Sequence, residues 1–127
     1  NNFVNTMVSL SKKMDSLKVV CDQIGSPTYT KDVGHALLSL LDKTGIFHVT
    51  NSGSCSWYEF AKEIIKQMNP NVEVIPISSE EYVFKTPRPS YSVLDNERLS
   101  LSGIIQRDWK SALLDFIKKE YDSHHAN

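Results

Sequence analysis

Tyr58 and Lys62 stand four residues apart in the run SCSWYEFAKEII, residues 54–65. On a helix, that spacing lets an ammonium lower the pKa of a phenol, which can then pass a proton to a carbonyl. The helix face decides whether this pair does so. Trp57, Phe60, Ala61, Ile64, Ile65 and Met68 recur at the helical period and mark the buried stripe. Tyr58 lies about 100° round from Trp57, and Lys62 directly follows Ala61, so both fall on a flank. A flank supplies neither the shielding nor the positive potential that shifts a phenol. The pair reads as an ordinary solvated i, i+4 pair.

Other residues with chemical potential are few. Asp22-Gln23-Ile24-Gly25-Ser26-Pro27-Thr28 follows a short apolar run and precedes a helical pattern. A strand, a glycine turn and a helix start can gather backbone N–H groups around an anion, although many turns of this kind bind nothing. Arg88, one of three arginines, is clamped between Pro87 and Pro89. Restricted backbone would pre-organise its guanidinium for bidentate contact with a diphosphate; the other reading is a solvated turn residue. His48 alternates with Phe47 and Val49, as an edge or core histidine would, and His124-His125 has no acidic partner pattern. Cys55 has no neighbouring base, and no metal-ligand spacing is present.

These residues must be held by elements legible in the periodicity. Phe3, Met7, Leu10, Met14 and Leu17 define a first helical stripe, and residues 18–21 a strand. A second helix is expected from Thr30, burying Val33, Ala36, Leu37, Leu40 and Leu41 and closing at Gly45. Residues 46–50 alternate as a strand. Ser56-x-x-Glu59 is a capping box for the helix of the opening motif, and Asn69-Pro70 ends it. Residues 72–77 form a third strand, and Ser78-x-x-Glu81 a second capping box over a short helix. Residues 85–90 are too proline-rich for regular structure. A last helix from about Asp108 buries Trp109, Ala112, Leu113, Phe116, Ile117 and Tyr121, and residues 122–127 fray. The alternation predicts an α/β domain with four or five helices and short strands completing a sheet whose main part lies elsewhere.

The chain has 127 residues, enough for one core, and 14 basic against 15 acidic residues give a net charge of −1. That balance points away from nucleic acid and anionic membrane surfaces, and no apolar run is long enough to span a bilayer. Two cysteines without a ligand spacing suit a reduced, cytoplasmic setting, with a disulfide between them left open. The chain opens Asn1-Asn2-Phe3 already inside a helical pattern, so it is expected to be a C-terminal piece of a longer protein, residues 1–127 forming one domain.

Read in order, the segments resemble the C-terminal part of the dTDP-4-dehydrorhamnose reductases, within the extended short-chain dehydrogenase/reductase family. The matching stretches are Asn2-Phe3-Val4-x-Thr6-Met7, Val20-x-Asp22-Gln23-x-Gly25-x-Pro27-Thr28, the run from Gly45 to Ala61, Arg88-Pro89-x-Tyr91-Ser92-x-Leu94-Asp95 and Trp109-x-x-Ala112-Leu113. The resemblance implies the substrate-binding lobe of an enzyme that reduces the 4-keto group of dTDP-4-dehydro-rhamnose to give dTDP-rhamnose for cell-surface polysaccharide. It implies NADPH on an N-terminal Rossmann domain that also carries the catalytic Ser/Thr-Tyr-Lys set, neither of which lies in this sequence. It further implies a dTDP-sugar site where Asn2 and Phe3 lie beside the nucleotide, Gln23, Gly25 and Thr28 belong to a loop closing over it, and Arg88 grips the diphosphate. A homodimer is an accompanying expectation, because apolar faces made for the absent domain would be exposed. Two alternatives share the resemblance: a non-catalytic regulatory subunit of the same fold, and a nucleotide-sugar epimerase or dehydratase.

Overall fold

A computed structural model describes residues 2–82 and 86–121. Asn1, Lys85 of the proline-rich stretch, and the tail 122–127 with His124 and His125 lie outside the described residues. The chain divides into two compact units, residues 1–25 with 55–92, and residues 26–54 with 93–127.

The first unit contains α1 (Phe3–Ser11), β1 (Ser16–Val20), β2 (Ile24–Gly25), β3 (Cys55–Ser56), α3 (Trp57–Met68) and β4 (Glu73–Ile77); α2 lies in the second unit. β1 and β4 pair in parallel, Ser16 opposite Glu73 through Val20 opposite Ile77. Two parallel strands alone make a poor sheet, and helices must cover them. Ile64 and Ala61 on α3 are fully buried, joined in the core by Ile65, Val8, Leu17 and Val20. The capping box of α3 forms as expected: Glu59 N–H donates to Ser56 Oγ (3.1 Å), and Ser56 N–H to Glu59 Oε2 (2.8 Å). β2 runs antiparallel to β3, Ile24 opposite Ser56 and Gly25 opposite Cys55. Both cysteines are free thiols.

The first helix is shorter than its apolar stripe suggests. It ends at Ser11, where the N–H groups of Lys13 and Met14 turn back onto Leu10 O. Met14 is left about half exposed, and Leu17 is buried from a strand instead. Ser78-x-x-Glu81 closes a turn, with Ser78 N–H donating to Glu81 Oε1 (2.9 Å), and residues 79–82 are turn and bend rather than helix. Residues 86–89 are irregular, as their prolines require.

The second unit is built from α2 (Thr30–Ser39), α4 (Glu97–Leu101) and α5 (Trp109–Tyr121). α5 matches most of its expected stripe: Trp109, Ala112, Leu113 and Ile117 are buried, Phe116 and Tyr121 are half-buried, and Asp108 Oδ1 caps the N–H groups of Lys110 and Ser111. α2 departs from expectation. Its buried residues are Asp32 and Ala36, while Leu37, Leu38 and Leu41 are 55%, 69% and 81% exposed. The helix stops at Ser39, and Gly45 serves a later turn, at φ +105° beside the Arg98 guanidinium. Residues 46–50 form no strand. The Asn96 side chain supplies their ladder partner, accepting from Thr50 N–H (3.3 Å) and donating to Thr50 O (2.9 Å).

Candidate functional site

Side-by-side parallel strands bring their carboxyl ends together, and in open α/β sheets ligands bind beyond those ends. Here β1 runs into Asp22-Gln23 and β4 into Ser78-Ser79, with Cys21 N–H to Ile77 O (2.9 Å) extending the pairing. Asp22 accepts from the Ser79 backbone N–H at 3.0 and 2.9 Å and from Ser79 Oγ at 2.6 Å. Those bonds, the hydroxyl first, hold the Asp22 carboxyl below its ordinary value. Gln23 is 5% exposed, and its Nε2 donates to Ser79 Oγ (2.9 Å).

Beyond Gln23 the chain enters β2, which has neighbours on both sides. β3 lies on one side, and on the other Ile24 N–H donates to Ser90 O (2.8 Å) and Ser92 N–H to Ile24 O (2.9 Å). This bridge ties the segment after Pro87-Arg88-Pro89 to β2. A Cβ at Gly25 would lie 3.2 Å from Ser92 Oγ, a tight contact that the hydroxyl would have to relieve by a few tenths of an ångström. Arg88 is exposed. The other two arginines serve as braces in the second unit. Arg98 donates to the carbonyls of Thr44 and Ile46 (3.1 Å each), and Arg107 forms the ion network described below.

At the first helix, Asn2 is the N-cap, its Oδ1 accepting from Asn5 N–H (2.9 Å). Phe3 packs against Trp57 and Phe60, with ring centres 4.7 and 5.5 Å away. Asn2, Phe3, Gln23, Gly25 and Arg88 therefore share the first unit. Thr28 belongs to the second, its hydroxyl donating to Ser26 O (2.9 Å). Tyr58 and Lys62 remain on the α3 flank, with the Lys62 ammonium 5.8 Å from the Tyr58 ring centre rather than at its hydroxyl. Ser79 escaped the sequence reading. Its partnership with Asp22 and Gln23 spans 56 to 57 residues and becomes visible only once β1 and β4 are paired.

The second unit holds a different polar cluster. Arg107 forks onto Asp32 (2.8 Å to each oxygen) and reaches Asp115 (2.9 Å), while Asn51 Nδ2 donates to Asp32 (2.7 Å). Asn51 Oδ1 in turn accepts from Tyr29 N–H (2.7 Å). The Arg107 contact holds the Asp32 and Asp115 carboxyls low and pushes the guanidinium pKa up. A shallow cavity of about 310 Å³ opens beside it, lined by Asp32, His35, Ala36, Ser39, residues 104–106 and Arg107. Nε and Nη2 of that fork are taken up by Asp32 and Asp115, so the cluster acts as a structural brace.

Paired parallel strands under helices, with polar side chains gathered at the strand ends and no glycine-rich cofactor turn in the chain, define an α/β ligand-binding lobe. The chain belongs to the RmlD substrate-binding domain family, whose model matches residues 1–122. It is 46% identical over 120 residues to the spore coat polysaccharide biosynthesis protein SpsK of Bacillus subtilis, covering 94% of this chain and 42% of that protein. Among solved structures it resembles a dTDP-4-dehydrorhamnose reductase from Clostridium acetobutylicum, with TM-score 0.89 and 45% identity over 94% of this chain and 44% of that one. A Bacillus anthracis dTDP-4-dehydrorhamnose reductase in complex with NADP matches with TM-score 0.87 and 42% identity, over 94% of this chain and 43% of the other. The sequence thus spans less than half the length of these relatives.

Proposed function

We propose that this chain is the substrate-binding lobe of an NADPH-dependent reductase that converts dTDP-4-dehydro-rhamnose to dTDP-rhamnose for a cell-surface polysaccharide. The observation that carries the reading is the family match over residues 1–122 together with a fold shared with an NADP-bound reductase. In this reading residues 1–127 are the C-terminal domain, and the cofactor sits on an N-terminal Rossmann domain. That domain also supplies the catalytic Tyr-Lys pair. A relative described as a probable 4-ketoreductase of another dTDP-linked sugar, 35% identical, supports keto reduction as the chemistry. A cytoplasmic setting and a homodimer complete the proposal. No described helix is long and apolar enough to cross a membrane, and several exposed leucines offer apolar surface for self-association.

The lobe's task is positional. Hydride transfer needs the nicotinamide and the keto carbon in near-attack geometry, and anchoring the diphosphate and nucleoside supplies it. Arg88 takes the diphosphate as a bidentate donor, its backbone fixed by two prolines and the segment after them tied to β2. In this reading Asn2, Phe3, Gln23 and Gly25, all of the first unit, line the nucleotide site. In the full-length protein, Arg88→Ala should raise KM for the sugar nucleotide about tenfold to a hundredfold and leave KM for NADPH within about twofold, the scale of bonds to a charged group. Arg88→Lys should recover part of the loss. An unchanged KM for the sugar nucleotide would remove Arg88 from the site.

A further inference from the structure

The hydrogen-bond polarity at the strand ends fixes more than packing. We propose that Asp22 and Ser79 are positioning residues that hold the Gln23 amide in one orientation, with its carbonyl Oε1 as the acceptor offered to a hydroxyl or ring N–H of the substrate. The inference rests on Gln23 lying in the sugar-nucleotide site. Proton counting carries it. An ionised carboxylate only accepts, so the single Ser79 hydroxyl proton goes to Asp22 Oδ1. Ser79 Oγ must then accept from its other neighbour, and Gln23 must present its NH2 there, as the 2.9 Å Nε2 contact has it. Oε1 receives no hydrogen bond from the described residues. Among those residues, the one buried side-chain N or O atom without a partner is Ser26 Oγ, so Gln23 Oε1 reaches solvent despite the burial of the residue.

A free glutamine can flip its amide and serve donor or acceptor ligands alike. This one is locked by a chain two residues long that ends on a charge. The site at Gln23 therefore selects a donor group of the nucleotide sugar and disfavours a carbonyl or phosphate oxygen there. Removing Asp22 frees the Ser79 proton, which can turn to Gln23 and let the amide reverse. Asp22 is exposed, so Asp22→Ala leaves the core intact.

The test is a double-mutant cycle in the full-length reductase, with dTDP-4-dehydro-rhamnose and NADPH varied separately. Gln23→Ala and Asp22→Ala should each raise KM for the sugar nucleotide about three- to tenfold, the scale of one hydrogen bond, with kcat within about twofold. In the double variant Asp22→Ala should add almost nothing, because its effect runs through Gln23. Ser79→Ala, which removes the bridging hydroxyl, should raise KM for the sugar nucleotide as Asp22→Ala does. Additive effects, or a wild-type KM for Asp22→Ala, would overturn the positioning role and leave the substrate site standing. A wild-type KM for Gln23→Ala would overturn both.

Discussion

The two units solve burial differently. The first is organised by apolar periodicity: α1 and α3 lay their stripes over a parallel strand pair, and fully buried Ile64 is hemmed in by hydrocarbon. The second leaves Leu37, Leu38, Leu41 and Leu101 largely exposed and buries Asp32 and Asn51, which close an ion network through Arg107. An isolated charge inside is costly, so once Asp32 enters the core its partners fix which face of α2 points inward. One turn on, Ala36 follows Asp32 inside, and the leucines are rotated out. Non-directional burial tolerates substitution of similar shape, whereas a network of directed bonds fails as a unit.

Each unit carries one of the chain's two tryptophans, Trp57 in the first and Trp109 in the second. Variants with one of them replaced by Phe would report the units separately. The largest expected effect is in the first unit, where Ile64→Ala should cost about 3–4 kcal/mol through the cavity it leaves, with little dependence on salt or pH. Urea unfolding followed at Trp57 checks it. A matching loss at the Trp109 probe would mean that the units unfold as one.

Arg107→Ala should cost about 2–3 kcal/mol at neutral pH, sensed first at Trp109, because it leaves the buried Asp32 carboxylate without its cation. This loss should depend on pH, unlike that of Ile64→Ala. Asp32 has its folded pKa lowered by Arg107, so its contribution is present above the unfolded carboxylate value of about 3.9 and is lost as pH falls through the lower folded value. The gap between wild type and Arg107→Ala should accordingly be constant from about pH 5 to 8 and close below about pH 4. A gap that persists in acid would mean that Arg107 acts through packing.

Gly45→Ala should cost about 1–2 kcal/mol in the second unit, since φ +105° strains any side chain and the new Cβ would meet the Arg98 guanidinium. The smallest effect belongs to the residue with which the sequence first suggests chemistry. Tyr58→Phe should change stability by less than about 0.5 kcal/mol and leave kcat of the full-length protein near wild type. A fall of about a hundredfold in kcat would put the catalytic centre on α3 after all.

The sequence by itself determined the elements whose signals are local. The α3 core of Ala61, Ile64 and Ile65 with its capping box, the start of α5 and the irregular proline stretch all depend on residues within a turn or two of each other, whereas Trp57 at the head of the expected stripe is 38% exposed. The family resemblance was likewise carried by short motifs in order. Tertiary structure decided whatever needed distant residues to meet. The apolar stripe from Phe3 ran on through Met14 and Leu17, but strand pairing took Leu17 into β1. Residues 46–50 alternate like a strand, yet the Asn96 side chain took the place of a neighbouring strand. The leucine face of α2 looked buried until Arg107, 75 residues along the chain, claimed Asp32. At the candidate site, Gln23 was legible as part of a loop, while Ser79 was not. Hydrophobic period is written along the chain, but the partner of a buried polar group is chosen by geometry alone.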